Sequence, residues 1–276
     1  MTSLHLEFSR LAVSVLVPET LETAARDVFF HVLAEGIPAR VDHGYEVRVE
    51  EAGWTLLRDG RRGGTYATGI DLLFALEEDL ENALIARLEG WIGFHAGAVA
   101  LGNHAIVTLG LSDTGKTSST FQLIELGLDL VAEEVTPVDP QTLSVHPFPQ
   151  VLTLSLRYAE TFEAAHTVRR GRLVYHDRMM ARYHPRHVRH TPVRLHTLLF
   201  PAYDPTCVPR LEPLVPGDVL TEVLRYCFPP VGSDEQLYDH VIHVLQHCQL
   251  WRVHSRDVAS ARALLSRIVE MVPSRA

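Results

Sequence analysis

Cysteine is scarce in this chain: Cys207, Cys227 and Cys248 are the only three in 276 residues. So few thiols exclude a disulfide scaffold, their spacing matches no common zinc pattern, and a reduced, cytoplasmic chain is expected. Cys227 and Cys248 stand in apolar surroundings and read as core residues rather than nucleophiles. Long apolar runs are missing too. No window reaches the about 18 uncharged apolar residues of a spanning helix, and residues 1–6 carry no basic stretch ahead of an apolar one, so neither a membrane span nor a signal peptide is expected. Positive charge is in the minority. Lys+Arg is 25 against 34 for Asp+Glu, a formal net charge of −9, which argues against a global footprint for nucleic acid or anionic lipid. There is no internal repeat and no low-complexity tract. What is there is a folding composition: 46% hydrophobic and 21% charged residues, unlike disorder, collagen or coiled coil. The length suits one large domain or two smaller ones.

The first third reads as a small α+β domain, residues 1–85, followed by an α/β domain over residues 86–276. Residues 11–17 form an expected strand ended by Pro18. Residues 19–32 read as a helix, because Leu21, Ala24, Ala25, Val28 and Phe29 recur at helical spacing and Glu19 and Glu22 sit at its positive end. Residues 45–50 alternate at period two, residues 54–58 do so less cleanly, and Asp59-Gly60 punctuates them. Polar faces on these strands predict an antiparallel sheet with one wet side. A second helix is expected over residues 77–89, with Leu80, Leu84 and Leu88 four apart.

The central third carries the chemistry. Residues 95–100 and 105–109 read as a hairpin around Gly102-Asn103, and the second strand runs into Gly110-Leu-Ser-Asp-Thr-Gly115-Lys116-Thr117. Glycine, four residues, glycine, lysine and Ser or Thr is the P-loop pattern, and here a strand precedes it and a helix, residues 118–126, follows. Gly110 and Gly115 permit the tight turns that let backbone amides, including those of Ser112, Asp113, Thr114 and Ser118, converge on phosphate oxygens. The helix N-terminus adds its positive end. Lys116 reaches the β- and γ-phosphates of ATP, and Thr117 offers a hydroxyl to Mg²⁺.

The next strand, residues 128–132, ends in Glu133-Glu134. One strand-end acid beside such a loop can hold Mg²⁺ while another takes a proton from a substrate hydroxyl; the bland alternative is a solvated turn. Adjacent strand residues face opposite ways, so both enter one site only if the strand ends there, as Thr136-Pro137 suggests. His95 lies at the end of its hairpin away from the turn. It is expected to reach the loop only if the sheet curls or a neighbouring strand delivers it, and is otherwise an ordinary sheet histidine.

The order Gly93-Phe94-His95-Ala96-Gly97, then residues 110–117, then Gly127 through Glu133-Glu134, resembles the catalytic core of bacterial HPr kinase/phosphorylase and of the shorter HPr-kinase-related proteins. The likeness is good over residues 90–151 and weaker over 192–223. It implies a P-loop kinase core of the HPr kinase/PEP carboxykinase C-terminal type. His95 would be the active-site histidine, Lys116 and Thr117 the phosphate and metal residues, Glu133 the general base, and Glu134 the acid beside it that supports the metal. Two departures stand out. The acid pair is Glu-Glu where the family has Asp-Asp, and the glycine- and arginine-rich signature tied to HPr recognition and dephosphorylation has no clear equivalent. The shorter kinases that accompany lasso-peptide and other peptide-maturation genes are the closer resemblance, which implies ATP-dependent phosphorylation of a precursor peptide or small protein, on a serine hydroxyl. A small-metabolite kinase and a nucleotide-binding regulatory protein are the alternatives.

Residues 157–196 reverse the charge of the chain: nine arginines and six histidines against Glu160, Glu163 and Asp177. A basic loop there could bind triphosphate, stabilise transferred charge or hold an acidic substrate, or it could be a solvated or homo-oligomer-facing surface. Beyond it the chain reads as strand 195–200 ended by Pro201, helix 216–227, a helix capped by Ser233, strand 250–253 and a last helix over 255–271.

Overall fold

The computed structural model describes residues 1–111, 114–156, 158–160, 171–175 and 180–273, the third-last of these spans as a short helical piece and residues 171–175 as backbone only. The chain divides into two units, Met1–Arg87 and Leu88–Ala276. Among the described residues no helix is long and apolar enough to cross a membrane.

In the first unit, alternating apolar residues build a five-stranded sheet in chain order: β1 (Thr2–Glu7), β2 (Ala12–Val17), β3 (His43–Glu50), β4 (Gly53–Arg58) and β5 (Arg61–Tyr66). Val13, Val15 and Val17 are fully buried while their neighbours are half-exposed. The expectation of a purely antiparallel sheet needs one correction, since β2 and β3 are parallel. A parallel pair requires a crossover, and helix α1 (Glu19–Val28) supplies it. After α1 the chain tightens into a 3-10 turn, Phe30–Val32, that buries His31 and Val32. Helix α2 (Gly69–Ile85) begins eight residues before the expected start at residue 77. Gly69 marks that start because a side chain there would meet Leu21 Cδ1 at 2.7 Å. Thr68 caps the helix, its hydroxyl accepting the Asp71 N–H at 3.1 Å.

The second unit is a mixed α/β assembly. Its main sheet contains β6 (Ile92–Leu101), β7 (His104–Leu109), β8 (Asp129–Ala132), β9 (Val135–Asp139), β10 (Ser144–Val145), and, after a three-stranded sheet of β11 (Leu152–Ser155), β12 (Gly171–Tyr175) and β13 (Met180–Pro185), also β14 (Val193–Tyr203), β15 (Arg210–Pro213) and β16 (Gln249–Ser255). The order is β10-β9-β6-β7-β14-β16-β15, with β8 also beside β6. Strands β7, β14 and β16 are parallel. Because β10 bonds to both β9 and β14, five strands close into a ring. The helices are α3 (Lys116–Glu125), α4 (Pro216–Leu224), α5 (Asp234–His247) and α6 (Val258–Met271). Phe121 and Ile124 of α3 and Leu265 and Ile268 of α6 join Val99, Ile106 and Leu199 in one buried cluster, so β6 and β7 are apolar and buried along nearly their whole length.

Two further expectations change. Strand β14 continues through Pro201 to Tyr203. Its pairing with β7 stops at Leu199, so the missing N–H of proline breaks no bond on that side. The basic segment is not a loop throughout: Ala181, Arg182, Tyr183 and His184 of β13 are all buried. Arg157, Arg169, Arg170, Arg178, His166 and His176 lie outside the described residues. The last helix starts at Val258, where Asp257 and Ser260 form a capping box, Asp257 Oδ1 accepting the Ser260 N–H at 2.7 Å. Asp257→Ala should lower the unfolding free energy in urea by about 1 kcal/mol; an unchanged midpoint would show that the box contributes nothing.

Candidate functional site

Strand β7 delivers the chain to Gly110 and α3 takes it up at Lys116. Between them the loop folds on itself, with the Thr114 hydroxyl donating to the Leu111 carbonyl at 2.7 Å. Gly110 is needed for that closure, since a Cβ there would fall 2.2 Å from Thr114 Oγ1. Gly115 adopts φ 98°, a left-handed conformation suited to glycine, and among the described residues no side chain caps the helix that follows. The first amides of α3 therefore keep their free hydrogen-bonding capacity and positive field at the loop. Ser112 and Asp113 lie outside the described residues. Ser118 stands in the first turn, its carbonyl accepting from the Tyr158 hydroxyl at 3.2 Å.

Lys116 is the only lysine in the protein. Its side chain is 5% exposed, and its ammonium donates to Glu134 Oε2 at 2.9 Å. The same oxygen stands 3.1 Å from His95 Nε2. No curl of the sheet is required to bring His95 there. The β6–β7 register pairs Ala96 with Leu109, so the end of β6 away from the hairpin turn is the end where the loop begins. A distant segment then fixes the histidine: its N–H donates to the Tyr226 carbonyl at 2.7 Å, and its ring stacks on Phe228 with centroids 5.9 Å apart.

The acids reach the loop through a break in the sheet. Ala132 of β8 pairs with Ala98 and Val135 of β9 pairs with His95, so Glu133 and Glu134 sit between two strands that share one edge of β6. Glu134 has φ 59°, and the Val135 N–H donates back to the Glu133 carbonyl at 2.7 Å. That is a three-residue γ-turn centred on a left-handed glutamate, a strained conformation that interrupts the up-down alternation of a strand. Opposite it, Gly97 makes room: a Cβ there would lie 2.5 Å from Glu133 Oε2 and 2.2 Å from Thr120 Oγ1.

The two carboxylates have unlike surroundings. Glu133 is only 1% exposed, and among the described residues neither of its carboxylate oxygens has a hydrogen-bond partner. Burial pushes its pKa up to about 7 against the pull of Lys116, with the Glu134 charge adding to the rise and the Thr117 hydroxyl and His95 opposing it. Thr117 thus contributes polar stabilisation from nearby without a standard hydrogen bond. Glu134 is 41% exposed. Burial also raises its carboxyl, but the contacts from His95 and Lys116 prevail and hold it at about 2.

Among the described residues no group of three or more His, Cys, Asp or Glu side chains is arranged to hold a metal ion. A cation shared with phosphate oxygens needs fewer protein ligands. The orphaned carboxylate of Glu133 beside the Thr117 hydroxyl fits one. Sequence reasoning did not single out Gly97 for its steric role, nor Thr120, Tyr226 and Phe228. The count of one lysine was in the composition and is the sharpest signal for Lys116.

The Glu133 environment sets a stability profile. Its folded pKa lies above the ordinary carboxylate value, so its contribution to stability is intact below about pH 4.5 and is lost as pH rises through about 7. Glu133→Gln removes that loss. Its melting temperature relative to the wild type should rise between about pH 5 and about pH 8; a pH-independent difference would mean that Glu133 is not buried as described.

No protein-family model matches the chain and no curated protein matches it, so its function is read from this geometry and from the motifs themselves.

Proposed function

We propose that this protein is an HPr-kinase-like P-loop kinase that transfers the γ-phosphoryl group of ATP to a serine hydroxyl of a precursor peptide or small protein. The observation that carries the reading is the meeting of Lys116 Nζ, His95 Nε2 and Glu134 Oε2 at one point, 2.9 and 3.1 Å apart, at the mouth of the glycine-rich loop. Phosphoryl transfer asks for positioned charge around a phosphate more than for a covalent nucleophile, and a buried lysine, a free helix N-terminus, a histidine and two acids provide it.

On this reading the loop amides and the first turn of α3 bind the β- and γ-phosphates. Lys116 leaves Glu134 and turns its ammonium to the phosphate oxygens. Thr117 and Glu133 would hold Mg²⁺, which when bound neutralises phosphate charge. The acceptor hydroxyl approaches the exposed side, where Glu134 takes its proton as the oxygen bonds to the γ-phosphorus and the bond to ADP breaks. His95 keeps Glu134 oriented.

This division of labour reverses the one that the family resemblance implies, Glu133 as base and Glu134 at the metal. Exposure supports the reversal. A peptide hydroxyl can meet a carboxylate that is 41% exposed, whereas Glu133 is enclosed beside Thr117. The ion pair with Lys116 keeps Glu134 from acting as a base until a phosphate competes for the lysine.

Lys116→Ala should abolish phosphoryl transfer and weaken ATP binding measured by calorimetry with Mg²⁺, because the charge facing the phosphates is gone. Wild-type affinity in that variant would overturn the nucleotide site. The two amides should then fail differently. Glu134→Gln should bind Mg²⁺–ATP at least as tightly as wild type, its lysine released, while turnover falls by about 10²–10⁴-fold. Glu133→Gln should need more Mg²⁺ and recover part of its activity at high concentration. The opposite pattern would return the base role to Glu133, and full activity in both would remove the acid pair from the chemistry.

A further inference from the structure

The exposed histidines of α5 form a second, separate constellation. His243 and His247 are four apart, so they share one face of the helix, and both are exposed. Their rings approach to 4.2 Å between centroids. Two imidazoles on successive turns are spaced to act as a chelate, and one detail shows which nitrogen is free. His247 Nδ1 donates to the His243 carbonyl at 2.8 Å. A carbonyl oxygen only accepts, so Nδ1 carries the proton and the lone pair of a neutral ring resides on Nε2, pointed away from the backbone. Histidines that ligate metals are commonly held by this kind of bond from the second ring nitrogen to a backbone carbonyl.

The electrostatic setting favours a cation. His247 is the last residue of α5, where the helix presents its negative end, and Asp239 stands one turn before His243 on the same ridge. Protonated imidazoles at this spacing would repel one another, whereas a shared dication holds both rings in place.

We infer that His243 and His247 form a surface binding site for a borderline divalent transition metal, Zn²⁺, Ni²⁺ or Cu²⁺, with water filling the remaining positions. The nitrogen ligands select against Mg²⁺, which prefers oxygen, so this site is chemically distinct from the one in the proposed kinase reading and stands without it. Its functional content is a bound transition metal on an outer helix that has open coordination positions.

The test is calorimetric titration of the untagged full chain with NiCl₂, ZnCl₂ and MgCl₂, beside His243→Ala, His247→Ala and the double variant. Both positions are exposed, so the variants keep the fold, which far-ultraviolet circular dichroism checks. Ni²⁺ and Zn²⁺ should bind the wild type and Mg²⁺ should not bind at this site. Each single substitution should weaken Ni²⁺ at least about tenfold, the lower end of what losing even a supporting contact costs a metal site. Cu²⁺ electron paramagnetic resonance should report two nitrogen ligands in the wild type and one in each single variant. Sixteen histidines are present in the chain, so undiminished Ni²⁺ affinity in the double variant would place the metal elsewhere and overturn the inference, as would a wild type that binds neither Ni²⁺ nor Zn²⁺.

Discussion

The γ-turn at Glu134 is the constraint on which the rest of the site depends. A strand continued through residues 129–139 would send one glutamate to each face of the sheet. The left-handed backbone of Glu134 cancels that alternation, and both carboxylates come to the loop side of β6. The arrangement is tolerated because the flanking strands hold it from both ends on the same neighbour, at Ala98 and at His95. It also needs an empty space opposite, which Gly97 provides. A local strain of about 1–3 kcal/mol is thereby fixed by backbone pairings on both sides of the turn.

Electrostatics and packing oppose each other here. Glu133 is enclosed without a hydrogen-bond partner among the described residues, a condition that works against stability once the group ionises. Lys116 is equally enclosed, but it has found a partner in Glu134. The pair of buried charges is balanced in number while only one of the acids is satisfied, and that asymmetry gives the two glutamates different chemistry within one dipeptide. The site is stiffened from outside by a segment far away in sequence. Tyr226 anchors the His95 backbone, and its own hydroxyl is tied to Glu222, which Arg252 of β16 also holds at 2.5 Å. The position of a histidine at the loop is thus linked to an ion pair on the opposite flank of β14.

Local order made the loop legible in sequence: strand, two glycines, lysine, threonine and helix occupy consecutive residues, and no tertiary contact is needed to recognise them. The acid pair could be located but not oriented, because orientation rests on one backbone angle that no side-chain pattern encodes. The hairpin reading placed His95 correctly at the far end from its turn, yet the consequence, adjacency to Gly110, follows only when the register of Ala96 with Leu109 is drawn. The leucine spacing set the start of α2 eight residues late, because the close approach of Leu21 at Gly69 is a tertiary contact. Strand β13 stayed hidden because Arg182 and His184 interrupt the apolar pattern although both are buried. Tyr226 and Phe228 had no signal at all, since their partner lies more than a hundred residues upstream.

The solitary lysine has a consequence for the whole titration of the molecule. Every other side chain counted among its basic residues is an arginine, and guanidinium groups keep their proton beyond about pH 12. Between about pH 9 and about pH 11 an ordinary protein sheds positive charge as its surface amines neutralise. This chain has a single side-chain amine, and that amine is buried at the loop against Glu134. Its guanidinium charges persist across the alkaline range, and the one side-chain ammonium of the chain belongs to its candidate site.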